Sequence, residues 1–197
     1  MKGALILTLA RLVICPIFLV IYLFHDKMGM STFVMSLLLL FLLTLCELSD
    51  AFDGVLARRS NQVTTLGKIL DPMADSIVRL SILVVFTRGL INLPVLLVLV
   101  FVFRDAIISM LRTLAALSGK ALAARKSGKL KAILQAVSIY ILVCLMLVYS
   151  GGWISLSVLR GVSFWTVAVT AAYTVVSGVE YMWICRSYIR DAWVTAR

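Results

Sequence analysis

Long apolar stretches, separated by short polar ones, dominate this chain. Six of them reach the roughly 18 residues that cross a bilayer as a helix: about 3–24, 31–57, 69–88, 92–118, 132–150 and 162–185. The second and fourth are long and contain polar residues, so one end of each is expected to project past the lipid. The longest polar linkers are about 58–68 and 119–131, and no internal repeat or low-complexity segment stands out. The pattern predicts an all-α polytopic membrane protein with six transmembrane helices, a single membrane-embedded domain over 1–197, and a short interfacial helix at 186–197. Lys2 ahead of the first run would also suit a signal peptide. No small-residue cleavage site precedes a secreted domain, so a retained span is expected.

Composition supports the same class. The chain is 62% hydrophobic with a mean hydropathy of +1.08, whereas soluble domains stay near half apolar. The net charge of +10 is explained by position. With the N-terminus inside, Lys2, Arg58, Arg59, Lys68, Lys120, Arg125, Lys126, Lys129, Lys131, Arg186, Arg190 and Arg197 fall on the cytosolic side. Only Lys27, Arg88 and Arg160 fall outside, and Arg11, Arg79, Arg104 and Arg112 lie within spans. Cytosolic loops are enriched in Lys and Arg, so both termini are expected in the cytosol. Basic loops beside anionic lipid headgroups account for the charge, and nucleic acid is not an expected partner. Cys15, Cys46, Cys144 and Cys185 lie in spans without metal-site spacing and read as packing residues. The four tryptophans suit membrane-interface anchoring.

Ionisable residues inside spans cost about 2.5–3.5 kcal/mol each on insertion scales and mark candidate functional sites. Here they are Arg11, Glu47, Asp50, Asp53, Asp71, Asp75, Arg79, Arg104, Asp105, Arg112 and Glu180. At 1.5 Å of rise per residue, Asp50 lies about 28 Å from the outer start of the second span near Ser31. Asp71 lies about 25 Å from the outer end of the third near Arg88. Four carboxylates from two helices thus converge at one depth, near the cytosolic edge of a core about 30 Å thick. Asp50 and Asp53 are three apart and Asp71 and Asp75 four apart, spacings that share a helix face. The short linker allows the two helices to pack as an antiparallel hairpin.

Facing carboxylates repel. Protonation relieves this, and a bound divalent cation relieves it better. An all-oxygen donor set favours Mg²⁺ or Mn²⁺, and four carboxylates suit two metals. Gly54, Ala57 and Gly67 leave space beside the cluster for a bulky ligand or a second helix. Arg58 offers a planar donor for a phosphate, although topology bias alone would also place an arginine there. Arg104 and Asp105 are expected to pair internally. Arg79, one turn from Asp75, is expected either to neutralise it or to reach a ligand. Glu47 and Glu180 are expected in structural contacts, Glu180 in a buried one.

Together the segment reads Asp50-x2-Asp53-Gly54-x2-Ala57-Arg58-x8-Gly67-x3-Asp71-x3-Asp75. This resembles the signature of the CDP-alcohol phosphotransferases, with every defining position filled. The resemblance extends to Thr8-x2-Arg11…Pro16, to 61–75, to 104–112 and to 128–135, stretches similar to the phosphatidylglycerophosphate synthase branch of that family. It implies six membrane helices, usually in a homodimer, and transfer of a phosphatidyl group from CDP-diacylglycerol to glycerol 3-phosphate with release of CMP. It also implies two divalent metals on Asp50, Asp53, Asp71 and Asp75, with Asp75 as general base. Thr8, Gly54, Ala57, Arg58 and Gly67 would border the CDP donor. A Thr bonding its own helix backbone is the plainer reading of Thr8.

Arg112, Lys129 and Lys131 gather toward the same end of their helices and are expected to hold the acceptor phosphate. The small size and the lack of a targeting extension point to a bacterial inner membrane, with the active site on the cytosolic side. Ser76 in place of the branch's usual Lys, Ala4-Leu5 in place of Pro-Asn, and Asp105 in place of Glu bear on acceptor choice. Inositol phosphate, inositol, serine and choline therefore stay open as acceptors. A cation transporter using the carboxylates is a separate alternative, disfavoured by the absence of a repeat and by the cluster's place at the membrane edge. Arg112→Ala is expected to raise the KM for glycerol 3-phosphate far more than that for CDP-diacylglycerol. Steady-state kinetics checks this, and equal losses for both would count against it.

Overall fold

A computed structural model describes residues 2–59, 65–117 and 126–195, with side chains described over 11–49, 73–113 and 126–186. Among the described residues the regular structure is all helical, with short turns between helices. The helices are α1 (Lys2–Phe24), α2 (Thr32–Arg59), α3 (Thr65–Val85), α4 (Val95–Leu117), α5 (Lys126–Ser150) and α6 (Leu156–Thr195). The Ser31 hydroxyl accepts the Val34 N–H at 3.3 Å, and the Ser155 hydroxyl accepts that of Val158 at 3.4 Å. These side chains satisfy donors that the first helical turn leaves open. Pro94, with no N–H to lose, stands immediately before α4.

Two boundaries differ from the sequence pattern. Helix α5 begins at Lys126, inside the segment expected as a polar linker, because Lys and Ser at 126–131 are compatible with a solvated first turn. Helix α6 runs without interruption through Thr195, so 186–195 continues the last helix instead of forming a separate interfacial one. No proline interrupts it.

Among the described residues, three helical stretches are long and apolar enough to cross a membrane by length and composition: Thr32–Ser49, Lys126–Ser150 and Leu156–Arg186. Arg11–Phe24 is a shorter apolar helix. Large apolar side chains cover the outside, among them Phe41, Phe103, Met110, Trp165 and Val169. Polar residues such as Arg11, Lys131, Gln135, Ser138, Thr170, Thr174 and Ser177 are buried within. That distribution is the one a lipid environment demands, and the chain is that of an integral membrane protein.

Helix α1 packs against both α2 and α3; α2 packs against α5; α3 against α4 and α5; and α6 against α4 and α5. Of the expected α2–α3 hairpin, the described side chains show one contact, Arg79 of α3 lying 3.9 Å from Glu47 of α2. Among the described residues both helices share α1 and α5 as packing neighbours. The linker sets only how far apart they can be, whereas α1 supplies the apolar face that both bury.

Tyr22 fastens the far end of α1. Its hydroxyl donates to the Arg88 carbonyl at 2.9 Å and accepts the Ile91 N–H at 3.3 Å. Its ring meets Phe86 edge-on at 5.2 Å. Gly89, at φ +71°, lies where an added Cβ would sit 3.3 Å from that ring, so the turn requires glycine on both counts. Tyr22→Phe is expected to cost about 1 kcal/mol, because it strands a buried N–H. Thermal unfolding in detergent checks this, with activity expected to stay near the parent level.

Candidate active site

Arg11 enters the interior from α1 and is 2% exposed. Its guanidinium contacts Oδ1 of Asp75 on α3. From one turn further along α3, Arg79 places Nη2 3.6 Å from Oδ2 of the same carboxylate. The Arg79 Nε lies 3.9 Å from Glu47 of α2. Cys46 and Val78 complete the lining of the pocket these four residues share. Both oxygens of Asp75 are therefore met by guanidiniums from two helices. The arrangement suits a charged group in an apolar bundle, where an unanswered carboxylate is far costlier than a paired one. Arg79 takes the neutralising role of the two open to it, and Glu47 the structural one.

Asp50 and Asp53 lie in α2 and Asp71 in α3, and their side chains fall outside the described residues. The same holds for Thr8 in α1, for Gly54, Ala57 and Arg58 in α2, and for Gly67 in α3. Backbone register still bears on them. A single guanidinium spans Glu47 and Asp75. Asp50 is three residues beyond Glu47, on the same helical face, and Asp71 is one turn before Asp75. Of the acidic residues on α2 and α3, the described Glu47 and Asp75 meet at this pocket. An oxygen-only donor set of this kind fits a hard divalent cation. Among the described residues alone, no group of three or more metal-ligating side chains is assembled.

A second buried charge network lies between α4, α5 and α6. Lys131 is 3% exposed, and its ammonium donates to both oxygens of Asp105 at 2.9 Å. The Arg104 Nη1 donates to the same carboxylate at 3.0 Å, and its Nη2 reaches the Ser177 hydroxyl at 3.4 Å. An added Cβ on Gly178 would come within 3.1 Å of the Arg104 side chain, so α6 is small where the arginine crosses it. Arg104 and Asp105 pair internally, as the sequence suggests. Lys131 belongs to this pair, an engagement that the expectation of an acceptor contact did not include. Lys129, two residues earlier, is exposed. Arg112 is half-buried with its guanidinium 5.9 Å from the centre of the Tyr181 ring. Its Nε has no hydrogen-bond partner among the described residues.

Other expectations fare unevenly. Cys15, Cys46 and Cys185 are buried packing residues, while Cys144 is exposed. Glu180 is exposed on α6 and not in a buried helix contact, because its position falls outside the stripe of Ser177, Tyr181 and Cys185 that α6 turns inward. Arg11 is the site residue that sequence reasoning left without a role. The available signal was its depth: an arginine inside an apolar run must find a carboxylate, and Asp75 closes the second half of the acidic motif.

The model of the CDP-alcohol phosphatidyltransferase family matches residues 1–176, and the chain belongs to that family. Among curated proteins it is 28% identical over 188 residues to a CDP-diacylglycerol–glycerol-3-phosphate 3-phosphatidyltransferase of Rickettsia typhi, covering 92% of this chain and 96% of the relative. It is 31% identical over 183 residues to the protein of the same name from Bacillus subtilis, covering 89% and 90%. A cardiolipin synthase (CMP-forming) of Streptomyces coelicolor is 43% identical over 103 residues, covering 52% of this chain and 46% of the relative.

The two charge networks carry different stability consequences. Asp105→Asn leaves two buried cations without their carboxylate, and is expected to cost about 3–5 kcal/mol. Glu47→Gln disturbs a longer and more exposed contact and is expected to cost far less. Thermal unfolding of both variants without added metal checks the ranking.

Proposed function

We propose that this chain transfers the phosphatidyl group of CDP-diacylglycerol to the hydroxyl of glycerol 3-phosphate, giving phosphatidylglycerophosphate and CMP. The observation that carries the reading is the Asp75 carboxylate, set in a pocket between α1, α2 and α3 and flanked by the filled family signature. The two relatives matched along nearly their whole length bear the name of this activity. The whole chain acts as one membrane-embedded domain with six transmembrane helices, both ends cytosolic, in a bacterial inner membrane and as a homodimer. Helices α3 and α4 are then spans whose intramembrane charges are answered inside the bundle.

Asp50, Asp53, Asp71 and Asp75 would hold Mg²⁺ or Mn²⁺, two ions for four carboxylates. When bound, the metal supplies charge neutralisation and orientation for the donor diphosphate. The protein's own groups do the rest. Arg58, with Thr8 and the small residues Gly54, Ala57 and Gly67 around it, borders the CDP moiety. Arg112 and Lys129 meet the acceptor phosphate, while Lys131, locked on Asp105, adds positive charge from behind. Asp75 accepts the proton of the attacking hydroxyl, which needs a base within hydrogen-bond reach. To do so it must exchange one guanidinium for the new partner. The acyl chains stay in lipid while the headgroup enters at the membrane edge.

A second reading keeps the donor and changes the acceptor to a lipid. It is favoured by the more identical but shorter match to the cardiolipin synthase. The test is CMP release by purified protein given CDP-diacylglycerol with Mg²⁺ or Mn²⁺. Glycerol 3-phosphate, phosphatidylglycerol, inositol phosphate, inositol, serine and choline are offered in parallel. Metal-dependent release with glycerol 3-phosphate alone is expected, falling about 10²–10⁴-fold in Asp75→Asn. Release with another acceptor alone would keep the family and overturn the substrate.

A further inference from the structure

The Asp75 carboxylate is held by two cations of different origin. Arg79 is its neighbour on the same helix, and its own reach is shared with Glu47 at 3.9 Å. Arg11 comes from another helix, its side chain is 3% exposed, and it contacts Oδ1 of Asp75 directly. Helix α1 packs on both helices bearing the acidic motif, as α5 also does. A divalent cation approaching Asp75 would therefore meet a carboxylate already engaged by guanidiniums.

We propose that Arg11 is the resident counter-ion of the candidate metal site: it holds Asp75 in place without metal, and a divalent cation binding there must displace it from Oδ1. Arg11 is thus a positioning residue that sets the metal affinity of the site. The inference rests on the metal-dependent reading above. The competing view is that the Arg11–Asp75 contact only welds α1 to α3. The two views differ in sign. If Arg11 is only a weld, removing it loosens Asp75, and metal binding weakens or stays the same. If it is a counter-ion, removing it takes a positive charge away from a cation site, and metal binding tightens.

The experiment is an Mn²⁺ titration of the full chain in nanodiscs, with free Mn²⁺ followed by electron paramagnetic resonance. The parent protein is compared with Arg11→Met, Arg11→Gln and Arg11→Lys, each first shown to be monodisperse. Arg11→Gln retains hydrogen-bonding capacity and carries the measurement if Arg11→Met does not fold. The neutral variants are expected to bind Mn²⁺ at least about tenfold more tightly, given the strength of Coulomb interactions at such separations in a partly buried site. Arg11→Lys, which keeps the charge, is expected within about threefold of the parent. Equal or weaker binding in the neutral variants overturns the counter-ion proposal and leaves the metal reading standing. A parent protein with no saturable Mn²⁺ binding overturns the metal reading itself, and the proposal with it.

Discussion

A charge buried among apolar helices must be answered by another charge, because the cost of leaving it alone exceeds almost any single favourable contact in the fold. In this protein that constraint operates at two places. Arg11 and Arg79 converge on Asp75 between α1, α2 and α3. Arg104 and Lys131 converge on Asp105 between α4, α5 and α6. Each cluster ties together helices far apart in sequence, and the apolar core fills in around them. The order α2–α1–α3, with α1 touching both acidic helices, makes chemical sense in these terms: α1 brings the cation that the acidic faces need.

The two clusters differ in what remains open. The first faces a pocket, and Asp75 retains a fifth of its side-chain surface exposed. The second is closed, with its lysine almost fully enclosed and its carboxylate bound on both oxygens. A closed pair contributes a fixed positive potential and specific geometry; an open one can exchange partners. The proposed chemistry sits at the open pair, and the closed one stands behind the exposed Lys129 and half-buried Arg112.

Much of this was legible in the sequence. Apolar run lengths located every described helix, because bilayer thickness imposes a minimum length that a soluble core does not. The carboxylate spacings at 50, 53, 71 and 75 suggested shared helical faces, and the one of these residues whose side chain is described, Asp75, lines the pocket. The internal pairing of Arg104 was readable from depth alone. Partner identity across helices was not. Nothing in local spacing says that Lys131 reaches Asp105, 26 residues away, or that Arg11 reaches Asp75, 64 residues away. Nor does a short linker between α2 and α3 fix which apolar faces meet, and both helices bury theirs against α1. The continuous α6 was missed because the end of the apolar run at 185 does not end the helix, which continues to Thr195 with no proline to stop it.

The most direct test of the account is the lipid product itself, read by mass spectrometry after the protein in nanodiscs receives CDP-diacylglycerol, a divalent metal and isotopically labelled glycerol 3-phosphate. The account predicts a new phosphatidylglycerophosphate that carries the whole label, formed only with metal. Labelled glycerol 3-phosphate recovered unchanged, while CDP-diacylglycerol is consumed into another lipid, would contradict it.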